Sequence, residues 1–247
     1  MANYKILFSP TGGTKKCTDL LAGGIAENWE EIDISLPCPV ITLGEGDLCI
    51  AAVPSFGGRV PPLAAERLSM LNGCGAKAVL LCVYGNRAFE DTLAELQDLL
   101  ESRSFVCIAA VAALAEHSIM RAFAAGRPDA ADATILAGFA ETIKDKLVSG
   151  SDGLTVPGNR PYNEYKVAPM VPLTDDGCTS CGLCAKMCPA GAIDGSGIID
   201  SGKCISCMRC TVLCPIGAKF PDPEKVSALT ERLRPALGGR KENELFL

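Results

Sequence analysis

Eight of the fourteen cysteines in this 247-residue chain crowd between Cys178 and Cys214, and they do so twice in one pattern. The stretch CTSCGLCAKMCPAGAI, Cys178 to Ile193, aligns with CISCMRCTVLCPIGAK, Cys204 to Lys219. Four cysteines coincide at one offset, together with Ser180/Ser206, Pro189/Pro215, Gly191/Gly217 and Ala192/Ala218. Each half has the spacing CxxCxxCxxxCP, in which three close thiolates converge on one iron–sulfur cube while the fourth is carried away along a helix. Four thiolates also suit a structural zinc ion, but zinc ribbons set paired CxxC knuckles apart. Here the CxxC steps follow one another and end in CP, which favours clusters.

The other six cysteines, Cys17, Cys38, Cys49, Cys74, Cys82 and Cys107, are scattered singly through the first 150 residues and read as inert packing. The N-terminus shows no basic region, long apolar core or small-residue cleavage site, so it does not read as a signal peptide. The expectation is a cytoplasmic protein with reduced thiols. FVCIAAVAALAEH, Phe105 to His117, is the most apolar run. It is too short for a bilayer span and reads as a buried strand. Residues 1–150 carry 18 acidic and 12 basic side chains, which accounts for the whole net charge of −6. Neither part has the basic excess of a nucleic-acid binder.

Apolar runs at Lys5 to Ser9, Glu31 to Ile34, Asp47 to Val53, Lys77 to Tyr84 and Phe105 to Ala113 alternate with helical stretches. Those stretches are Thr14 to Glu27, Pro62 to Leu71, Phe89 to Ser102 and Asp129 to Val148. This is the pattern of a parallel sheet with crossover helices. Size and order match a flavodoxin-like, doubly wound five-stranded sheet of order 2-1-3-4-5. Residues 151–172, rich in glycine and proline, read as a linker lying along a surface. Residues 1–150, 173–221 and 222–247 are then an α/β domain, a small α+β cluster domain, and a helix with a polar tail.

Three loops leave the carboxyl edge of that sheet, where a doubly wound fold binds ligands. The first, Ser9-Pro10-Thr11-Gly12-Gly13-Thr14, offers hydroxyls and helix-start amides to a phosphate without a basic residue. It lacks the GxxxxGK[ST] spacing of a nucleotide P-loop. The second is PSFGGRVP, with Pro54, Ser55, Phe56, Gly57, Gly58 and Arg59. The third is YGNRAF, with Tyr84, Gly85, Asn86, Arg87 and Phe89. His117, the sole histidine, follows the fifth strand on the same edge. It reads either as a structural hydrogen-bonded histidine or as a donor near a bound group.

The first loop fits the flavodoxin phosphate pattern [ST]xTGxT at every position. The cysteine region resembles the bacterial two-cluster ferredoxin over about Asp175 to Pro221. Together they resemble the flavodoxin–ferredoxin fusion family of anaerobic bacteria and archaea, the EFR-type ferredoxins, over nearly the whole chain. The resemblance implies FMN, its phosphate on Ser9, Thr11, Gly12, Gly13 and Thr14 and its ring between the other two loops, with Phe56 or Phe89 on its face. Flavodoxins stack tryptophan or tyrosine there among acidic residues, so Arg59 and Arg87 depart from the pattern. Either arginine reads as a surface charge or as a neighbour of the flavin. The resemblance also implies two [4Fe-4S] clusters, one on Cys178, Cys181, Cys184 and Cys214, the other on Cys204, Cys207, Cys210 and Cys188. Its functional implication is a carrier passing electrons between clusters and FMN, and between redox protein partners. An FMN enzyme acting on a quinone, nitro compound or other small acceptor is the alternative, and a redox sensor is a third. Linker tyrosines Tyr162 and Tyr165, or the cluster domain, capping the flavin would favour the carrier.

Overall fold

Strands β1 (Asn3–Leu7), β2 (Glu30–Asp33), β3 (Leu48–Pro54), β4 (Lys77–Tyr84) and β5 (Val106–Leu114) pair in parallel in the order β2-β1-β3-β4-β5. The computed structural model describes residues 2–150, 153–167 and 169–247. Helices α1 (Gly13–Ile25), α2 (Pro62–Leu68) and α3 (Thr92–Glu101) make the β1–β2, β3–β4 and β4–β5 crossovers, β2 joins β3 without a helix, and α4 (Ala130–Ser149) follows β5. Alternation along the strands divides the interior in two. Ile6, Ala51, Leu80 and Cys82 face α2 and α3, while Leu7, Ile50, Leu81 and Val83 face α1 and α4. β3 and β4 are apolar almost throughout because helices cover both faces. α4 starts where expected: the Asp129 carboxylate accepts from the backbone N–H of Ala131 and Asp132, and Asp132 accepts from Asp129 N–H at 2.8 Å.

Beyond the sheet, β6 (Leu173–Thr174) pairs antiparallel with β7 (Lys219–Phe220). Between them lie two short helices, α5 (Leu183–Lys186) and α6 (Arg209–Leu213). The sequence repeat is also a backbone repeat. Ser180 and Ser206 both have left-handed φ (53° and 55°), as do Gly182 and Met208 (74° and 61°). Helix α7 (Pro223–Leu237) returns to the first module and places Leu229, Leu233 and Leu237 against Ile119, Met120 and Phe123.

The sheet has a sixth strand that sequence reasoning assigned to a polar tail. β8 (Glu244–Phe246) pairs antiparallel with β5, Val111 opposite Leu245. Its anchor is the buried Asn243, whose Oδ1 accepts from Leu114 N–H and whose Nδ2 donates to Asp132 Oδ1, both at 2.9 Å.

Candidate cofactor sites

The carboxyl edge of the sheet opens into a cavity of about 570 Å³, within the range of about 300–1,000 Å³ usual for small-molecule sites. At the β1–α1 loop, Ser9 N–H donates to Ser35 Oγ at 2.7 Å and Ser9 Oγ accepts from Lys15 N–H at 2.9 Å. Those bonds and the left-handed Gly12 (φ 88°) fix the turn into α1. They leave Thr11, Gly13 and Thr14 facing the cavity. The β3–α2 loop is a tight turn in which Phe56 and Arg59 exchange backbone hydrogen bonds across Gly57 and Gly58. Pro54, Ser55, Phe56 and Gly57 line the cavity from there, and Tyr84, Gly85 and Arg87 from the β4–α3 loop.

Six of the expected residues, Gly12 of the turn just described among them, are not part of the cavity wall. Arg59 is held by Glu95 (Nε to Oε2, 2.7 Å) and lies 4.7 Å from the Tyr162 ring centre, away from the cavity. Asn86 is buried, and its Nδ2 donates to the Leu237 and Gly239 carbonyls at the end of α7. Gly58 packs against Glu90. Ser9 shapes the loop from beneath. Phe89, the second candidate for the flavin face, instead packs edge-on against Tyr84 and Phe246.

Three segments with no signature of this site complete the cavity. From the linker come Asn163, Glu164, Lys166, Val167 and Met170. Ile205, Ser206 and Cys207 come from the second cysteine motif, and Leu229, Arg232 and Leu233 from α7. The linker is strapped down by Asp91, which accepts from Asn159 N–H and Asn163 N–H, both at 2.7 Å. Tyr162 hydrogen-bonds Asp98 instead of covering the cavity, and Tyr165 is not part of its wall.

His117 lines the cavity, and its Nδ1 accepts from the backbone N–H of Ile119 and Met120, each at 3.1 Å. With Nδ1 an acceptor, the neutral ring carries its proton on Nε2. Burial, reinforced by the nearby Arg87 charge, lowers its pKa to about 4.

The cysteines surround two further cavities. Cys178, Cys181, Cys184 and Cys214 line one, and Cys188, Cys204, Cys207 and Cys210 the other. The fourth cysteine of each motif has thus crossed to the partner motif's cavity. Four thiols line each of these two small cavities, the number of cysteine ligands one [4Fe-4S] cube takes. Backbone amides face these sulfurs: Ala192 N–H donates to Cys188 Sγ at 3.3 Å. Burial works to raise the Cys214 pKa, but the N–H groups of Ile216, Lys219, Ala218 and Gly217 outweigh it and hold the thiol below its ordinary value. Of the scattered cysteines of the first module, Cys17, Cys49, Cys82 and Cys107 are buried packing, with burial pushing Cys17 and Cys107 up to about 12, whereas Cys38 is only partly buried and Cys74, contrary to expectation, is exposed.

The 4Fe-4S binding domain family matches residues 172–194 and 198–220, one match to each half of the repeat. The cysteine module is a 4Fe-4S binding domain. Among solved structures, a flavodoxin from Streptococcus pneumonia TIGR4 is 18% identical, covering 61% of this chain and 100% of its own at a TM-score of 0.42. Oxidised flavodoxin 1 from Bacillus cereus is 18% identical over 62% of this chain and 100% of its own, at 0.41. Rubredoxin oxygen:oxidoreductase from the anaerobe Desulfovibrio gigas is 15% identical over 60% of this chain and 35% of its own, at 0.39. No curated protein matches the chain. The strand order itself identifies the sheet as flavodoxin-like, so the architecture is that of a flavodoxin–ferredoxin fusion, which supports a role in electron transfer.

The 4Fe-4S binding domain is docked on the sheet by buried polar contacts. Arg67 of α2 donates to the Ile34 carbonyl at 2.6 Å and to the Pro189 carbonyl at 2.8 Å, next to Cys188. Met170 N–H donates to Ser206 Oγ at 2.9 Å. Ile205 and Cys207 belong to the walls of both the large cavity and the cavity of Cys188, Cys204 and Cys210. Among the described residues, no helix is long and apolar enough to cross a membrane.

Proposed function

We propose that the chain is an electron carrier linking two [4Fe-4S] clusters to one FMN, so that single electrons arriving from a redox protein are interchanged with electron pairs. The observation that carries this reading is the shared wall: Cys207, a ligand of the inner cluster (Cys188, Cys204, Cys207, Cys210), also faces the large cavity. The outer cluster (Cys178, Cys181, Cys184, Cys214) then serves external protein partners. FMN would supply the two-electron chemistry and the clusters the one-electron chemistry.

The chain's own residues have distinct tasks. Thr11, Gly13 and Thr14 hold the phosphate at the start of α1. Phe56, Gly57, Tyr84 and Gly85 enclose the ring, and Arg87 stands beside it ion-paired with Glu90 of the same wall at 2.6 Å. His117, its Nδ1 engaged by two backbone amides, offers Nε2–H as a fixed hydrogen-bond donor and stays neutral near pH 7. The linker and the Ile205–Cys207 segment form part of the cavity wall, and capping from that side favours the carrier over a reductase of small acceptors.

Anaerobic purification followed by flavin and metal analysis tests the reading. One FMN and about eight irons per chain are expected from two cubes; zinc, or no flavin, overturns it. Reduction of FMN through the clusters by a one-electron donor should slow at least tenfold in Cys207→Ser.

A further inference from the structure

The two halves of the cysteine repeat differ at one position that bears on redox chemistry. Where the first half has Leu183, the second has Arg209. Leu183 is 37% exposed, whereas Arg209 is 8% exposed and lines the inner cluster's cavity with Cys188, Cys204, Cys207 and Cys210. Its guanidinium is poorly satisfied by the protein. Nη2 lies 3.5 Å from Asp33 Oδ2, at the long limit of a hydrogen bond. Nε is closed to solvent and has no partner among the described residues. A buried cationic donor left unpaired is costly, and few survive in native proteins.

We infer that Arg209 Nε–H donates to a sulfur of the inner cluster and raises that cluster's reduction potential, an inference that rests on the cluster assignment proposed above. The electron added on reduction makes the cluster sulfurs more negative. A charge-assisted N–H···S bond therefore strengthens in the reduced state. The step concerned is the transfer of one electron from the outer to the inner cluster, with no bond made or broken. Arg67, also buried, adds a second cation on the same side through its bond to the Pro189 carbonyl. The outer cluster has a buried cation of its own, Lys219, but its ammonium is engaged by Thr174 Oγ1 and the Gly197 carbonyl. The contrast between the clusters is thus the free Nε–H of Arg209 and not the presence of charge alone.

Two measurements on the full chain, purified without oxygen, test this. In protein labelled with arginine carrying ¹⁵N only in the guanidinium, pulsed EPR of the half-reduced state should show a ¹⁵N coupling to one cluster. Its absence overturns the inference without need of any variant. In an EPR-monitored redox titration, Arg209→Leu, which installs the residue of the first repeat, should shift one cluster step and leave the other in place. At a fixed potential the oxidised-to-reduced ratio of that step should rise at least tenfold, equivalent to 59 mV for one electron. Full iron content with both steps unmoved, or with both moved together, assigns Arg209 a purely structural role and overturns the inference. If the variant loses iron, the ¹⁵N coupling decides alone. Wild-type protein without eight irons would instead refute the underlying cluster assignment.

Discussion

Gly85 and His117 touch so closely that a Cβ on Gly85 would lie 2.7 Å from the His117 Cβ. Only glycine lets the end of β4 pass the imidazole at this distance, and both residues form part of the same cavity wall. Gly85→Ala must displace the ring or the strand end, at about 1–3 kcal/mol of overpacking. FMN affinity should fall about tenfold or more, read by flavin fluorescence titration of the apoprotein. Gly46→Ala, where an added Cβ meets nothing within 4 Å, should leave affinity unchanged.

The low pKa of His117 carries a pH dependence with a defined sign. Its folded value of about 4 lies below the unfolded value of about 6.5. Between these values the unfolded chain binds the extra proton, so stability falls as pH drops from about 6.5 towards 4. His117→Gln should flatten the stability curve in that window relative to wild type, measured by urea unfolding at a series of pH values. An NMR titration of the imidazole should show Nδ1 unprotonated at pH 6; a midpoint near 6.5 would contradict the buried neutral tautomer.

Asp132 joins helix α4, Arg127 and the Asn243 anchor of β8. Arg127 Nε donates to it at 2.9 Å and Asn243 Nδ2 at 2.9 Å, in a site closed to solvent. Asp132→Asn leaves the Arg127 cation buried without its counter-charge, and a loss of about 3–5 kcal/mol is expected. Asn243→Ala should cost less, about 1–3 kcal/mol. It should also accelerate amide exchange at Val111 and Leu245 while the central strands β3 and β4 keep their protection.

Asp91 fastens the linker over the cavity. Asp91→Ala removes the acceptor of Asn159 N–H and Asn163 N–H, charged hydrogen bonds of about 1.5–3 kcal/mol each. Limited proteolysis between residues 153 and 167 should quicken about tenfold, and FMN should dissociate faster. In wild-type protein, burial raises the Asp91 pKa but the Asn159 and Asn163 donors outweigh it and hold it below its ordinary value. The strap is therefore fully engaged above about pH 4 and weakens only as pH falls through that lowered value.

Much of the fold was legible because its signals are local. β4 begins and ends where its apolar run does, at Lys77 and Tyr84. β1 was expected to reach Ser9 but ends at Leu7, because Ser9 N–H turns to the Ser35 hydroxyl. The turn from β1 into α1 was legible for the same reason: glycines and hydroxyls at a strand end mark a helix start, and Thr11, Gly13 and Thr14 do line the cavity there. Arg59 and Asn86 were not. Their partners, Glu95, Leu237 and Gly239, are brought to them by tertiary folding, and no spacing rule connects them. β8 escaped because three residues show no period, and what holds it, pairing with β5 and an asparagine side chain bonded across 111 and 129 positions of sequence, is tertiary. The roof from the linker and α7 escaped likewise, since a helix with mixed charges does not declare which surface it will cover.

Because β8 follows the cluster domain in the chain and joins the sheet that precedes it, the cluster domain is a loop inserted into the flavodoxin-like fold and fastened at both ends. A partner tethered twice cannot drift off by loosening one linker, so its local concentration beside the large cavity does not depend on how much protein is present. Electron exchange across the Cys207 wall should accordingly be first order, with a rate constant indifferent to dilution. Only the encounter at the outer cluster should respond to concentration.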